Sequence, residues 1–381
     1  MAEVDYGELS FTVRRFALAR LVDQAVVVIP TGHLIQEVFG CFQVTVRAGW
    51  LQLAGTNMVQ TVWAETASVT TQGEGVFYLP ARKLRALLAE APDGDVTVAV
   101  KRNHATVTAG AASWTLKLPP GTRYPVLLDL AGVVFEPVGR KELLGALSVV
   151  RHAVGKDTGR PQYTQVGIAA WGKVMCASAW DSGQFARAPV PGFPFPCGIP
   201  ASVLDDLCKL LAAGAEESAA AGQTEGALAF RLGPVTLAVL KHGKEFALSD
   251  KHLAAARANE LELEADKAEL LAAIRRVRIN ADAETSAIAL ELEAGRLTLV
   301  ARDKDDNGAR ETIGATWGGG PRQLIVNGGF LYAMLDVHPA ASCRFRVGRD
   351  PGRQRSHLLL ADEAAGVYGV IPQMLPQHLG Y

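Results

Sequence analysis

Hydrophobic and polar residues alternate along several short stretches of the chain, most regularly between positions 287 and 303. Ile288, Leu290 and Leu292 alternate with small or acidic residues before Gly295, and apolar residues alternate again after it. This period of two predicts an antiparallel hairpin with one buried face and a turn at the glycine.

The same arrangement recurs twice earlier in the chain. Similar alternating stretches are centred on Gly49 and Gly172, and Gly172 lies as far from Gly49 as Gly295 lies from Gly172. Each hairpin is preceded and followed by a short strand that runs into a helical pattern. The apolar stripes of the three first helices are Leu18, Leu21, Val22 and Ala25; then Leu143, Leu147, Val150 and Val154; and finally Leu270, Ile274 and Val277.

A repeat of roughly 125 residues is far longer than the period of about 20–50 residues that is typical of solenoids, so each repeat is predicted to be a whole domain. The predicted domains are residues 1–126, 127–250 and 251–381. The predicted fold class is α+β, with two helices packed on antiparallel sheet in each domain. The small, polar stretch 212–226 is predicted to be a loop, and residues 250–260 are compatible with a short helix.

Composition limits the possible functions. With 49% hydrophobic residues the chain can form substantial cores, and its formal net charge of −1 gives no global attraction to nucleic acid. The five cysteines form no C-x-x-C pair, which is typical of reduced thiols in a cytosolic protein. The sequence shows neither an export signal nor a membrane-spanning run, so a cytoplasmic protein without membrane contact is expected.

Motifs for catalysis or metal binding are missing from the sequence. It contains no phosphate loop, zinc helix or nucleophile elbow. Asp303, Asp305, Asn307 and Gly308 match the opening of a calcium loop, but Gly314 stands where that loop requires glutamate, so a solvated turn is predicted. We therefore expect no catalytic residue, no metal and no cofactor, and a protein that is not an enzyme.

Basic residues recur on the first helix of every repeat. A solvated helix face explains any one of them, whereas three repetitions favour a shared basic surface, because phosphate attraction needs charge and no base-specific geometry.

Several passages together resemble the bacterial β-type sliding clamp of DNA polymerase III over almost the whole chain. They include FTVRRFALARLV, VFYLPARKLRALLAEAPDG, LELEAGRLTLVARD and the ending VYGVIPQM, which is similar to the apolar-apolar-Met-Pro-Met terminus of that family. The resemblance implies three clamp-type domains that form half of a ring. Two chains would form a homodimer that encircles double-stranded DNA without reading its sequence.

In such a ring the helices line the hole, and basic residues on them contact DNA phosphates. The residues expected to face DNA are Arg14, Arg15, Arg82, Lys83, Arg140, Lys141, Arg151, Lys267, Arg275 and Arg276.

The resemblance also implies an apolar cleft between the second and third domains that binds short linear peptides from the DNA polymerase, the clamp loader and repair factors. The segment from Trp180 to Phe185 matches the family's Thr-Asp-Gly-His-Arg-Leu. The expected cleft residues are Arg160, Tyr163, Trp180, Asp181, Ser182, Gly183, Gln184, Phe185, Val370, Ile371, Pro372 and Met374. Each of these outside the terminal segment is also compatible with an ordinary strand or core position.

The chain departs from the family pattern at this cleft. Trp180 replaces a small hydroxyl residue, Gln373 stands where methionine is common, and the linker 247–253 does not align with the family's linker. Arg278 lies near the family's subunit contact, where an apolar residue is common. Two functions therefore follow as hypotheses: a processivity clamp, or a specialised or accessory clamp-fold interaction protein with altered partners. An enzyme built on repeated α+β domains is a third, weaker one.

Overall fold

The computed structural model describes residues 8–32, 36–119, 124–181, 183–214, 218–242, 246, 250–348 and 357–379. Its elements follow the repeating order that the sequence predicts. A strand and a helix come first, then a group of strands, a second helix and a final group of three strands. This confirms the α+β class and the predicted hairpins.

The described part of the first repeat contains two helices and nine strands. They are β1 (Glu8–Arg14), α1 (Arg15–Ala25), β2 (Cys41–Arg47), β3 (Trp50–Thr56), β4 (Gln60–Thr66), β5 (Thr70–Gln72), β6 (Gly75–Pro80), α2 (Ala81–Glu90), β7 (Asp95–Lys101), β8 (His104–Ala109) and β9 (Ala112–Lys117).

The second repeat follows the same order and is succeeded by a separate helix. Its elements are β10 (Glu136–Gly139), α3 (Arg140–Val150), β11 (Gln165–Trp171), β12 (Val174–Trp180), β13 (Phe185–Pro189), β14 (Cys197–Pro200), α4 (Ala201–Ala213), β15 (Ser218–Gln223), β16 (Ala227–Leu232), β17 (Val235–Leu240) and the separate helix α5 (Asp250–Arg257).

The third repeat completes the described chain. Its elements are β18 (Leu261–Asp266), α6 (Lys267–Val277), β19 (Ala287–Glu293), β20 (Arg296–Arg302), β21 (Gly308–Gly314), β22 (Thr316–Trp317), β23 (Arg322–Asn327), α7 (Gly328–Val337), β24 (Ser342–Val347), β25 (His357–Asp362) and β26 (Val367–Pro372).

The three predicted hairpins have two-residue turns. Gly49, Gly172 and Gly295 have φ angles of 68°, 61° and 79°, in the left-handed region that glycine adopts without a steric penalty. A side chain at these positions would be strained by the positive φ, which explains why glycine occurs at all three.

The chain divides into two compact units. The first unit comprises residues 1–140 and 205–242, and the second comprises 141–204 and 243–381. The first unit contains a sheet of order β5-β1-β7-β8-β9 and another of order β10-β15-β16-β17-β4-β3-β2-β6. The second contains a sheet of order β14-β11-β12-β13-β26-β25-β24-β18-β22 and another of order β21-β20-β19-β23.

The second repeat contributes strands to both units, because β15–β17 join a sheet of the first unit and β11–β14 join a sheet of the second. These two units therefore do not coincide with the three predicted domains, whose boundaries stay a prediction.

The helices pack through the apolar stripes that the sequence predicts, and every predicted stripe residue is buried. In the third repeat, Leu270, Ile274 and Val277 of α6 pack with sheet residues such as Leu290 and Leu299 in one core. Truncating one of these large side chains to alanine typically costs about 2–5 kcal/mol.

Two connecting segments give different outcomes. The predicted short helix is present as α5, whereas the loop predicted for 212–226 is wrong where β15 forms within it. The small residues of β15 serve close packing: a Cβ added at Gly222 would lie 2.6 Å from the carbonyl oxygen of Val134.

Candidate functional site

The first predicted cleft segment is a tight turn between β12 and β13. Trp180 and Phe185 are paired across the turn. The Asp181 carboxylate accepts hydrogen bonds of 2.8 Å from the backbone N–H groups of both Gly183 and Gln184. Asp181 therefore fixes the turn, while Ser182 lies outside the described residues.

Gln184 turns inward from this loop. Its amide group donates to the carbonyl oxygen of His152, at 2.8 Å, and to the Asp181 carboxylate, at 3.2 Å. Burial lowers the pKa of His152 to about 4, and its Nδ1 lies 2.8 Å from the carbonyl oxygen of Val149. His152 is therefore neutral at pH 7, with Nδ1 carrying the proton that this carbonyl accepts.

Gly183 allows close packing against the second helix of the third repeat. A Cβ at this position would lie 2.8 Å from the Phe330 ring on α7. A side chain at position 183 would therefore displace the ring or the turn.

The second predicted segment lies beside the first because β26 pairs with β13. Phe185 is paired with Val370, and both pack in one apolar cluster, the α5 cluster. Its buried members are Phe185, Leu253, Ala256, Leu359, Tyr368 and Val370, with Trp171 and Trp180 packed against them.

The remaining terminal residues do not join the α5 cluster. Ile371 is buried in the core of the third repeat. Met374 packs instead against a small cluster that includes Ala289 and Ile325, and its backbone N–H donates to the Ile325 carbonyl oxygen at 2.7 Å. Pro372 is half-buried at the end of β26.

Aromatic rings form a row at the edge of the α5 cluster. The Trp180 ring lies 5.1 Å from Tyr163, edge to face, and 4.7 Å from His252 on α5. His252 in turn lies 5.6 Å from His357. Arg160 is exposed near this row, with its Nε 3.6 Å from the Asp157 carboxylate.

Sequence comparison with the family missed His252 and Leu253 because the linker did not align, and it also missed Arg187, which lies outside the linker on β13. The apolar spacing of Leu253 and Ala256 within DKHLAAAR was the available signal, since it marks one buried helix face. In the structure, α5 packs beside the Asp181 turn through His252, and beside β26 through Leu253 and Ala256.

Three of the predicted DNA-facing residues have the same structural role in each repeat. Each is the first residue of its first helix and donates to carbonyl groups near the end of the second helix. Arg15 donates to Leu88 at 3.2 Å, and Arg140 donates to Leu211. Lys267 donates to Asp336 at 3.3 Å and to His338 at 2.6 Å.

These carbonyl groups lack donors within their helices, and a cation at a helix C-terminus is favourable. The three residues are half-buried and therefore join the two helices of each repeat.

The other predicted DNA-facing residues are exposed on the described chain. Several of them have polar partners. Arg14 lies 3.3 Å from Asp95, and Arg276 binds Glu311 through two hydrogen bonds. Arg275 donates to the Tyr332 hydroxyl at 2.8 Å, and Arg82 donates to the Ile29 carbonyl oxygen at 3.2 Å. Lys83, Lys141 and Arg151 are also exposed.

A cavity of about 510 Å³ lies at the start of α2. Its lining includes Arg82, Lys83 and Lys117, together with Glu37. Three cations and one anion give it a positive charge, and Lys117 is a basic residue that the helix patterns did not identify.

The calcium-like segment forms a turn, as predicted. The Asp303 carboxylate accepts hydrogen bonds from the backbone N–H groups of Asp305 and Asn307, both at 2.9 Å. Among the described residues, no group of three or more potential ligands could hold a metal ion. No helix in the described part of the chain is long and apolar enough to cross a membrane.

Comparisons with known proteins agree with this architecture. No profile of a known protein family matches the chain. It is 23% identical to the beta sliding clamp of Synechococcus elongatus over 295 residues, which are 74% of this chain and 78% of that protein.

Solved structures match over nearly the full length. The C. crescentus beta sliding clamp has a TM-score of 0.86 and 20% identity, over 97% of this chain and 100% of that chain. The Pseudomonas aeruginosa DnaN sliding clamp bound to griselimycin has a TM-score of 0.86 and 19% identity, with the same coverage. The fold is that of a sliding clamp. In sequence, the chain is similar to a bacterial beta sliding clamp, at a level that marks it as divergent.

Proposed function

We propose that this chain is a DNA sliding clamp, in which two copies close into a ring around duplex DNA and tether a polymerase and other replication and repair factors. The observation that carries the proposal is the end-to-end structural correspondence, which includes all of the C. crescentus clamp chain. The three predicted domains per chain belong to this proposal. The chain would act by topology and supply no chemistry of its own.

Ring closure is proposed through two sheet edges. Strands β9 and β21 each end a sheet, and each leaves one row of backbone groups without a strand partner among the described residues. Of the other edge strands, β6, β10, β14 and β23 run directly into helices, and β5 and β22 have only three and two residues. Unpaired edges are ready templates for another chain.

An exposed apolar residue marks one of these edges. Ile279 is 79% exposed, and the adjacent Asn280 side chain donates to the Gly308 carbonyl oxygen on β21 at 2.9 Å. We infer that β9 of one copy pairs with β21 of the other and that this pairing covers Ile279.

DNA contact is proposed for the exposed basic residues. Lys83, Lys141 and Arg151 lie at the starts or ends of helices on the described surface, and Lys117 adds charge near Lys83. Sequence-independent attraction to phosphate needs only such accessible cations, and weak contacts permit sliding. Topology then retains the ring on DNA.

Partner binding is proposed at the surface formed by the Asp181 turn, the end of β26 and α5. Apolar residues beside a half-buried aromatic row suit a short peptide with a few apolar anchors. Griselimycin, to which the P. aeruginosa clamp is bound in its solved structure, is the probe we propose for this surface.

Electron microscopy and a retention assay test the proposal. The purified chain should form closed rings, and a clamp loader from the same cell should place them on a nicked circular plasmid. Cutting the plasmid should then release the clamp during gel filtration. Open monomers at all concentrations, or equal retention on circular and linear DNA, would contradict the proposal.

A specialised or accessory clamp is the second candidate. Trp180 packs against Tyr163 and His252 where the family has a small residue, which favours altered partners. Primer extension on a circular template separates the two candidates: a general processivity clamp should lengthen the products of its polymerase, whereas a specialised protein should form rings without that effect.

A further inference from the structure

Arg187 is a buried cation on β13 with partners on three sides. Its side chain is 2% exposed, and its Nη2 lies 2.5 Å from the Asp250 carboxylate. Its Nε donates to the Ser178 hydroxyl at 3.0 Å. The guanidinium carbon lies 4.8 Å from the centre of the Trp171 ring and 5.1 Å from that of Phe185.

This arrangement attaches the first residue of α5 to the sheet. Asp250 begins α5, where a negative charge is favourable. Its carboxylate is the one acidic group recorded within ion-pair distance of Arg187 among the described residues. A buried cation strongly favours the conformation that keeps its counter-ion in place.

The last residue of α5 is attached differently. Arg257 lies 3.2 Å from Glu363 and stacks on the Trp171 and Tyr368 rings. Both of these charged side chains are about two-fifths exposed, at 41% for Arg257 and 40% for Glu363. Water therefore screens the charge of Arg257 much more than it screens the charge of Arg187.

Between its two ends, α5 presents the residues that complete the proposed peptide site. Leu253 packs with Phe185 and Val370, and His252 packs against Trp180. A shift of α5 would move both contacts together, because they lie on one short helix.

We propose that Arg187 is the positioning residue of the partner-peptide site: it holds the start of α5 through Asp250 and thereby places His252 beside Trp180, while the buried Leu253 anchors the helix on the sheet. This inference rests on the proposed clamp function. Arg187 itself is buried and does not touch the peptide, so its effect passes through the helix.

The two ends of α5 supply a matched pair of variants. R187M removes the buried attachment, and R257M removes the same chemical group at the exposed end. D250N removes only the counter-ion, at a side chain that is 60% exposed and therefore tolerant of substitution in folding. R187M/D250L replaces the whole pair by apolar groups.

The experiment measures griselimycin affinity by calorimetry and amide hydrogen exchange of α5 and α6, well below the unfolding temperature. R187M and D250N should each weaken griselimycin binding about tenfold, or 1.4 kcal/mol, and speed exchange in α5 but not in α6. R257M should change affinity by about twofold or less, because exposed ion pairs contribute little. R187M/D250L should recover part of the affinity that D250N loses, because no buried charge is left unpaired.

Equal affinity and equal α5 exchange in R187M, D250N and R257M would overturn the inference. If R187M fails to fold, D250N and R257M make the same comparison. If the wild-type chain does not bind griselimycin, the peptide site of the proposed function fails, whereas exchange in α5 still decides whether Arg187 holds the helix.

Discussion

Replacing Lys267 with methionine should destabilise the third repeat. Helix α7 ends at Val337, and the Lys267 ammonium group donates to the carbonyl oxygens of Asp336, at 3.3 Å, and His338, at 2.6 Å. Methionine has a similar length and keeps the apolar contacts of the side chain, but it cannot donate to either carbonyl.

The magnitude follows from the shorter of these hydrogen bonds. A hydrogen bond to a charged group contributes about 1.5–3 kcal/mol, and a cation at a helix C-terminus contributes about 0.3–1 kcal/mol. The longer, exposed contact to Asp336 adds little. We therefore expect K267M to lower the free energy of unfolding by about 2 kcal/mol.

Urea unfolding followed by circular dichroism measures this loss, with K304M as the control. Lys304 lies 2.9 Å from Glu284, but both side chains are mostly exposed. Such a surface pair contributes little to stability, because water screens it. The capping role would be refuted if K267M and K304M unfolded at the same urea concentration with the same slope.

Other properties of the described residues lead to further predictions. The pKa of His152 is about 4 in the folded chain and 6.5 in its ordinary state, so the unfolded chain binds this proton first as the pH falls. Stability should therefore decrease between about pH 6.5 and pH 4, by up to about 3 kcal/mol, and H152Q should remove that part of the pH dependence in urea titrations. Charge reversal of Lys83, Lys141 and Arg151 together should reduce retention on circular DNA, and retention equal to wild type would exclude them as DNA contacts. I279D should convert the proposed dimer to monomers in sedimentation, and an unchanged dimer would place the interface elsewhere.

The elements of this fold were predictable wherever the signal was local. Gly49, Gly172 and Gly295 mark turns because a two-residue hairpin needs a positive φ, and this requirement is met within a few neighbouring residues. The buried apolar stripe of α6 was equally predictable, because residues three and four apart share a helix face.

The roles of charged residues were not predictable in the same way. The sequence shows that Arg15, Arg140 and Lys267 begin the first helices, and a cation at that position suits a DNA phosphate as well as a helix end. The structure places each beside the last carbonyl groups of the second helix of its repeat. Those partners lie 73, 71 and 71 residues further along the chain.

The sequence by itself therefore determined the hairpins, the apolar helix faces and their threefold recurrence, because each depends on the backbone and on neighbours within a turn or two. Only the tertiary structure decided that β15 is a strand, that three basic residues join pairs of helices, and that Arg187 meets Asp250 at the start of α5. A charged or small side chain has no preferred partner until folding brings distant segments together, and the buried surroundings then fix its role.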